Sequence, residues 1–416
     1  MSKKLFIIIG IVLAIILIIL VGYYFTTKPG VNTDTNTSVF KNFFPFGGND
    51  TNTSTTTETG VTLPEKNTQQ QNFVQKLRKI WSDPVAGAGI VDTKQGSVVR
   101  HIEKSTGHIY ETELFSPVQN RISNTTIPLV YDAVWGNTNN SLIARYLRDD
   151  DQTIDTYTLT LNQKGVASTT LPKDATSTAD NLISGVQLPA HITDYSVFDT
   201  NVFYLIQGSS GTSGIVSNFS GTKKKQVWSS PLTELLSQFV NTNTVALTTK
   251  PYPNVSGYLY FINTTNGTSK KIIGDISGLS TLVSPDATKV LFSSQTDSLT
   301  MSVYSISGKS STQITPATFP EKCVWSTKDK NILYCAVPRE SLNGNSMTLW
   351  YMGYSQFTDD VWKYDLKNNT SSLIGNLYSE SNEQIDVIKP LLSTNEQYLV
   401  FINKIDGSLW SLDLSK

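Results

Sequence analysis

The chain is poor in the residues that most often hold metals or carry redox chemistry. Its 416 residues include only three histidines, His101, His108 and His191, and two cysteines, Cys323 and Cys335. Three scattered histidines are too few for a dedicated multi-histidine metal site, and no Cys-x-x-Cys pair occurs. The sequence therefore predicts no metal and no cofactor.

The sequence motifs of the common catalytic classes are also absent. There is no Gly-x-Ser-x-Gly elbow, no His-Glu-x-x-His helix, no phosphate-binding glycine loop and no sialidase-type Asp box. We therefore expect a protein that is not an enzyme.

Charge is scarce and balanced. Lys and Arg number 33 against 34 Asp and Glu, which gives a formal net charge of -1, and charged residues make up 16% of the chain. The near-zero net charge produces no global electrostatic field that would attract nucleic acid or an anionic lipid surface. Nucleic acid is therefore not predicted as a partner. Asp149–Asp151 lacks the ligand spacing of calcium loops, and Lys223–Lys225 is typical of an edge hairpin, so both are predicted to be solvated turns.

One long apolar run, Leu5 to Tyr24, follows the basic start of the chain and contains no charged residue. As a helix it would cover about 30 Å, the thickness of a hydrocarbon core. A cleaved signal peptide is the alternative. However, the run is longer than the apolar region of a signal peptide, and no small-x-small cleavage site follows it. We expect a single transmembrane helix at residues 5–25, with residues 1–4 cytoplasmic and the remainder outside the cell membrane.

Residues 26–71 are dominated by Thr, Asn, Ser and Gly. Such a segment cannot bury enough apolar surface to offset its ordering entropy, so it is predicted to be a disordered linker. The aromatic island Phe40–Gly48 is a docking motif, a segment that rests on the membrane interface, or an unstructured segment.

From residue 72 to 416 the pattern changes to short runs rich in β-branched and aromatic residues, separated by turn dipeptides. Tyr258–Ile262 returns through Asn266-Gly267, and Met301–Ile306 returns through Ser307-Gly308, as β-hairpins do. Asn72–Ile80 and Leu232–Phe239 are the only competing helical stretches. The pattern predicts an all-β domain.

An internal repeat organises this β region. An apolar residue, a small or polar residue and a turn recur at intervals of 42, 43 and 42 residues, with further copies 63 residues before and 67 after. This period is typical of four-stranded propeller blades, and the longer intervals suggest insertions of about 20 residues in blades two and six. An earlier blade fits Val85–Val91, so we predict a seven-bladed β-propeller, with six or eight blades as alternatives. The copies are Trp135-Gly136, Phe198-Asp199, Val240-Asn241, Val283-Ser284, Trp325-Ser326 and Leu392-Ser393.

One copy also resembles a known family. Leu282–Phe292, LVSPDATKVLF, is similar to the W-S-P-D-G-K-x-I-A-F signature of TolB-type, WD-repeat-like propeller blades, and Cys323–Tyr334 and Ala133–Arg145 are looser copies. The Trp-Asp pair of true WD repeats is absent. The resemblance implies the propeller fold, and it leaves the function open because propellers host many unrelated activities.

The last blade has one strand too few. Tyr398–Asn403 and Ser408–Leu414 are its last predicted strands, and Phe73–Ile80 has the apolar alternation to supply the missing one. We predict that residues 73–80 pair with residues 408–414 and so close the ring.

The two cysteines flank a predicted hairpin. Each lies six residues from Asp329 at the centre of the turn. Opposed residues in antiparallel strands are within disulfide reach, so Cys323 and Cys335 are predicted to form a disulfide; two facing buried thiols are the alternative.

The insertion of blade six, Pro338–Asp360, is far longer than most hairpin loops. It connects the second and third strands and is expected on the same face as the links between blades. Because Trp, Tyr and Arg dominate binding hot spots, we predict a binding surface here; the alternative is that the rings pack the insertion onto the propeller. The predicted residues are Arg339, Glu340, Trp350, Tyr351, Tyr354, Phe357, Asp359 and Asp360.

These patterns predict a membrane-anchored, extracytoplasmic β-propeller that binds a protein or cell-envelope partner without catalysis. The alternative is a propeller hydrolase or lyase that acts on an envelope glycan or a small-molecule substrate, because a propeller can assemble a site from single residues on scattered loops.

Overall fold

The structure is a computed structural model that describes residues 75–123, 125–136, 140–148, 150, 152–162 and 182–416. Within these residues it contains seven four-stranded antiparallel sheets, the blades of a β-propeller. The predicted all-β, seven-bladed fold is confirmed. The described parts of the two competing helical stretches, residues 75–80 and 232–239, contribute strands rather than helices.

Six blades are simple meanders whose strands follow one another along the chain. Blade 1 contains β2 (Val85–Asp92), β3 (Ser97–Glu103), β4 (Ile109–Glu113) and β5 (Gln119–Arg121). Blade 2 contains β6 (Val130–Trp135), β7 (Ser141–Leu147), β8 (Ile154–Asn162) and β9 (Leu182–Gln187). Blade 3 contains β10 (Ile192–Phe198), β11 (Asn201–Gly208), β12 (Gly211–Asn218) and β13 (Lys225–Ser230). Blade 4 contains β14 (Leu235–Asn241), β15 (Thr244–Thr249), β16 (Ser256–Asn263) and β17 (Ser269–Ser277). Blade 5 contains β18 (Ser280–Val283), β19 (Lys289–Gln295), β20 (Leu299–Ser305) and β21 (Ser310–Gln313).

Blade 6 carries the long insertion between its second and third strands. It contains β22 (Cys323–Trp325), β23 (Ile332–Pro338), β24 (Asp359–Asp365) and β25 (Thr370–Gly375), with helix α1 (Ser346–Tyr351) in the insertion. A 3-10 helix, Pro320–Lys322, links blade 5 to it, and helix α2 (Leu377–Ser381) leads out of it. Blade 7 contains β26 (Val387–Leu392), β27 (Tyr398–Asn403), β28 (Leu409–Asp413) and β1 (Leu77–Trp81).

The hydrophobic core is divided among the interfaces between blades. Seven clusters of buried residues lie in the described chain between successive blades, including the one between blade 7 and blade 1. Second strands such as Tyr398–Asn403 are buried on both faces because each blade packs between two others. A continuous apolar run is the expected sequence of such a strand.

The repeated apolar-polar pair marks the end of the first strand in blades 2 to 7. In three copies the polar residue is a buried serine, Ser284, Ser326 or Ser393. The hydroxyl of Ser284 accepts from the Lys289 backbone N–H at 3.0 Å, and that of Ser393 accepts from the Tyr398 N–H at 3.0 Å. The serine therefore satisfies backbone groups where the first strand turns into the second.

The ring closes as predicted. β1 pairs antiparallel with β28, with Leu77 opposite Leu412. Leu77 packs in the cluster between blades 6 and 7, whereas Ile80 packs in the cluster between blades 7 and 1. β1 thus completes the sheet of blade 7 and fills both of its interfaces; Phe73 and Val74 lie outside the described residues.

Several sequence predictions fall on segments that the structure does not describe. The transmembrane helix at residues 5–25, the linker at residues 26–71, and Asp149 and Asp151 lie outside the described residues. In the part of the chain that is described, no helix is both long and apolar enough to span a bilayer. Lys223 and Lys224 lie in the turn between β12 and β13, as predicted, and β13 begins at Lys225.

The disulfide prediction concerns the first hairpin of blade 6. Cys323 lies opposite Cys335 in the pairing of β22 with β23, as the turn position predicts, and the structure bonds their sulfur atoms with the Cα atoms 4.0 Å apart. We expect the intact mass of protein purified without reductant to lack two hydrogens relative to the reduced chain. Alkylation of both thiols in the unreduced protein would contradict this prediction.

His101 in β3 makes the fold sensitive to acid. Its side chain is fully buried beside Trp81 and Tyr110, and neither ring nitrogen has a hydrogen-bond partner in the described structure. Burial lowers the pKa of His101 from 6.5 to about 3. The unfolded chain therefore takes up this proton below about pH 6.5, whereas the folded chain does not, so stability falls as the pH falls towards about 3.

Replacing His101 with phenylalanine should remove this part of the acid sensitivity. Between neutral pH and about pH 4.5, the wild type should lose roughly 2 to 3 kcal/mol more unfolding free energy than His101→Phe, as measured by urea unfolding at both pH values. His191→Asn, at an exposed histidine, is the matched control and should follow the wild type. Parallel curves for the wild type and His101→Phe would show that His101 is protonated in the folded state.

Candidate functional site on the channel face

The blade 6 insertion packs against the face of the propeller on which the blades are linked. Its α1 helix and the segment after it contribute Met347, Trp350 and Phe357 to a separate hydrophobic cluster that also contains Phe319 and Leu299 from blade 5 and its link to blade 6. The rings of Trp350 and Phe357 lie 5.3 and 6.0 Å from that of Phe319. The insertion is therefore packed onto the propeller through an apolar base.

A buried ionic network contacts this cluster. The ammonium of Lys322 donates to Asp359 at 2.6 Å and to Asp386, and all three side chains are fully buried. Lys322 belongs to the link between blades 5 and 6, Asp359 begins β24, and Asp386 precedes β26. One cation thus ties together the link before blade 6, the third strand of blade 6 and the segment that leads into blade 7.

The carboxylates of this network also hold the insertion. Asp386 accepts from the indole N–H of Trp350 at 3.0 Å and from the backbone N–H of Phe357 at 3.2 Å. Asp359 Oδ2 accepts from the Val387 N–H at 2.7 Å, whereas its Oδ1 is buried with no partner in the described structure. Burial raises the pKa of Asp359 to about 6; Lys322 opposes this shift and Asp386 adds to it.

The predicted binding residues divide into buried and exposed sets. Trp350, Phe357 and Asp359 are buried, so their position fits the packing alternative for these three. Tyr354 is 76% exposed and Tyr351 is 40% exposed. Tyr351 also donates through its hydroxyl to Glu321.

Three of the charged residues of the predicted surface, Arg339, Glu340 and Asp360, lie at the rim of the insertion, whereas Asp359 is buried. Arg339 makes a two-pronged hydrogen bond to Asp360, with both distances 2.9 Å, and also donates to Asn376. Glu340 accepts from the Thr358 backbone N–H at 3.0 Å. Both contacts fix the ends of the insertion where it leaves and re-enters blade 6.

The exposed residues of the insertion include an apolar set. Leu349, Tyr351, Met352 and Tyr354 are 39%, 40%, 60% and 76% exposed. We call these four residues the aromatic patch. Its two tyrosines belong to the surface predicted from the sequence, whereas Leu349 and Met352 do not.

A cavity of about 560 Å³ opens on the same face, where blades 7, 1 and 2 meet. Its charged lining residues are Lys104, Lys389, Lys404, Asp132 and Asp406. Sequence reasoning missed this cavity because its lining comes from three blades and leaves no linear motif. The cavity adjoins the insertion, since Lys404 lies 4.3 Å over the Trp350 ring and donates to the Trp350 carbonyl oxygen.

Lys389 links three blades beside this cavity. From β26 it donates to Asp132 in blade 2 and to the Ala86 carbonyl oxygen in blade 1 at 2.9 Å. Asp132 also accepts from the Tyr195 hydroxyl of blade 3 at 2.5 Å. Burial would raise the pKa of Asp132, but Lys389 and the Tyr195 hydrogen bond together hold it below its usual value.

No group of three or more His, Cys, Asp and Glu side chains suited to holding a metal ion occurs among the described residues. No protein-family model matches the sequence, and no curated protein matches it.

Comparison with solved structures finds matches of low sequence identity. An oligogalacturonate lyase from Vibrio parahaemolyticus has a TM-score of 0.51 at 8% identity, covering 81% of this chain and 93% of that chain. TolB from Acinetobacter baumannii has a TM-score of 0.39 at 11% identity, covering 78% of each chain. A puromycin hydrolase has a TM-score of 0.48 at 8% identity, covering 78% of this chain and 52% of that chain. The likeness to the Vibrio enzyme supports the propeller fold and carries no information about the reaction.

Proposed function

We propose that this protein is a non-catalytic binding module that captures a protein partner outside the cell membrane through the aromatic patch of blade 6. The observation that carries the proposal is the presence of four exposed apolar side chains on an insertion whose base is fixed by buried contacts. Exposed apolar residues grouped on one element, with a polar rim, are typical of protein-binding surfaces.

The anchoring of the insertion suits it for binding. Trp350 donates its indole N–H to Asp386 and lies against the ammonium of Lys404, so the neighbouring Tyr351 and Tyr354 extend from a fixed base. A preorganised surface loses less conformational entropy when a partner binds. Arg339 and Asp360 at the rim add a charged pair that is partly exposed to solvent.

The proposed location rests on the sequence. The uncharged run at residues 5–25 and the polar linker at residues 26–71 would tether the propeller outside the membrane with its N-terminus cytoplasmic. A cell-envelope protein is therefore the partner class that we propose.

Tyr354→Ala and Trp350→Ala distinguish contact from packing. Tyr354→Ala should leave the melting temperature nearly unchanged and reduce recovery of the partner from envelope extracts, because this side chain is 76% exposed. Trp350→Ala should lower the melting temperature by several degrees, since truncating a buried aromatic residue costs about 3 to 5 kcal/mol. Thermal melting and affinity capture with quantitative mass spectrometry measure the two effects.

Tyr252→Ala is the matched control for partner capture. Tyr252 is 59% exposed and lies on the corresponding second-to-third-strand loop of blade 4. Its replacement should leave capture unchanged. Full capture by a folded Tyr354→Ala variant, or an equal loss with Tyr252→Ala, would place the binding surface elsewhere.

The alternative function is a hydrolase or lyase that acts on an envelope glycan or a small molecule. The observation that favours it is the cavity at the meeting of blades 7, 1 and 2, whose volume falls within the range of small-molecule sites of roughly 300 to 1,000 Å³. Turnover of a glycan panel that persists after repurification and is lost in Asp132→Asn would favour this function over the binding module.

A further inference from the structure

The cavity between blades 7, 1 and 2 contains an unpaired cation. Lys104 lies at the end of β3, in the turn towards β4, and its ammonium has no hydrogen-bond or ion-pair partner among the described residues, whereas the other charged lining residues have partners. Lys389 is paired with Asp132, Lys404 donates to the Trp350 carbonyl oxygen, and Asp406 accepts from the backbone and side chain of Ser408 at 2.9 and 2.6 Å.

The electrostatic balance of the cavity favours an anion. Three lysines face two aspartates, which leaves one net positive charge in the lining. Burial lowers the pKa of Lys104, and the positive charge of Lys389 lowers it further, while Asp132 opposes the shift. A negative group beside Lys104 would offset both the desolvation of this ammonium and its repulsion from Lys389.

The remaining lining is mostly apolar. The cavity is lined by Val85, Ile388, Ile402 and Ile405, and also by Tyr131, which is 38% exposed. A cavity of this size and polarity would accommodate an organic skeleton as well as a charged group. Inorganic phosphate alone would leave most of the volume unfilled.

We propose that this cavity binds a small organic anion, with Lys104 contacting a carboxylate or phosphate group and the apolar wall contacting its skeleton. The proposal is independent of partner capture by the aromatic patch. A lysine ammonium recognises the anionic oxygens of a carboxylate and of a phosphate alike. The binding experiment therefore uses one probe of each kind to distinguish them.

The test is isothermal titration of the full chain with three probes that share a phenyl ring: phenylacetate, phenyl phosphate and the neutral benzyl alcohol. At least one anion should bind saturably, and benzyl alcohol should bind at least about tenfold more weakly. Lys104→Met should weaken binding of the anion by about tenfold or more, whereas Lys104→Arg should retain most of it.

Lys94→Met is the matched control, because Lys94 is an exposed lysine in the turn between β2 and β3, at the opposite end of blade 1 from Lys104. The Lys94→Met variant should bind the anion with the same affinity as the wild type. Lys104→Gln provides a second variant should Lys104→Met fail to fold. Equal binding of benzyl alcohol, no saturable binding of either anion, or equal weakening by Lys94→Met would overturn the proposal.

Discussion

Replacing Lys322 with methionine should lower the free energy of unfolding by about 3 to 5 kcal/mol, because it leaves two buried carboxylates without their cation. Lys322, Asp359 and Asp386 are fully buried, and the same carboxylates accept hydrogen bonds from Trp350 and from Val387. The loss should therefore release the base of the insertion as well as destabilise the junction of blades 5, 6 and 7. Urea unfolding monitored by tryptophan fluorescence measures it.

The pH dependence of this variant provides a specific signature. A carboxyl whose pKa is higher in the folded state stabilises the fold as the pH falls towards its unfolded value, because the folded chain then binds the proton more tightly. Asp359 already has a pKa raised to about 6, and removal of Lys322 should raise it further. The difference in unfolding free energy between the wild type and Lys322→Met should therefore become smaller on acidification from neutral pH to about pH 5.

Lys367→Met is the control for this experiment, since Lys367 lies exposed in the turn between β24 and β25. It should change the unfolding free energy by less than about 0.5 kcal/mol. An Lys322→Met variant as stable as Lys367→Met at neutral pH would mean that the network contributes no net stability.

The double substitution Leu77→Ala/Ile80→Ala should cost about 4 to 10 kcal/mol, because truncation of each buried aliphatic residue costs roughly 2 to 5 kcal/mol. The two side chains pack in different clusters, one on each side of blade 7, so their effects should be close to additive. The sum is comparable to the whole stability of many domains, so the variant should be largely unfolded at physiological temperature. Circular dichroism and thermal melting measure the effect.

Two controls separate ring closure from general effects of the N-terminal segment. Lys79→Ala removes an ion pair with Glu383 that is partly exposed, so it should cost at most about 1 kcal/mol. Deletion of residues 50–59 should leave the melting temperature unchanged, because these residues are almost entirely polar. Melting of the double variant within a few degrees of the wild type would show that the propeller does not need β1.

The sequence determined the fold because the propeller is built from local, repeated units. Each blade is a meander of adjacent strands, so the interval between repeats such as Val283-Ser284 and Trp325-Ser326 follows directly from strand and turn lengths. Closure by β1 and the pairing of Cys323 with Cys335 were also predictable, because both depend on strand register. The transmembrane helix and the linker stay predictions.

Only the tertiary structure decided which aromatic residues of the insertion are buried. Trp350 and Tyr354 are both aromatic and lie four residues apart, yet Trp350 is 5% exposed and Tyr354 is 76% exposed. The difference arises because Trp350 meets Phe319 and Asp386, which are contributed by the links on either side of blade 6. Sequence spacing contains no information about those contacts.

The charged contacts on the face where the blades are linked were likewise not predictable from the sequence. Lys322 lies 37 residues from Asp359 and 64 from Asp386, and Lys389 lies 257 residues from Asp132. Such groups meet only because closing the ring brings the blades side by side, and a lone lysine or aspartate in a sequence is most often solvated. Local periodicity therefore determined the blades, whereas ring closure decided which charges are buried, which are paired, and where the cavity with its unpaired Lys104 lies.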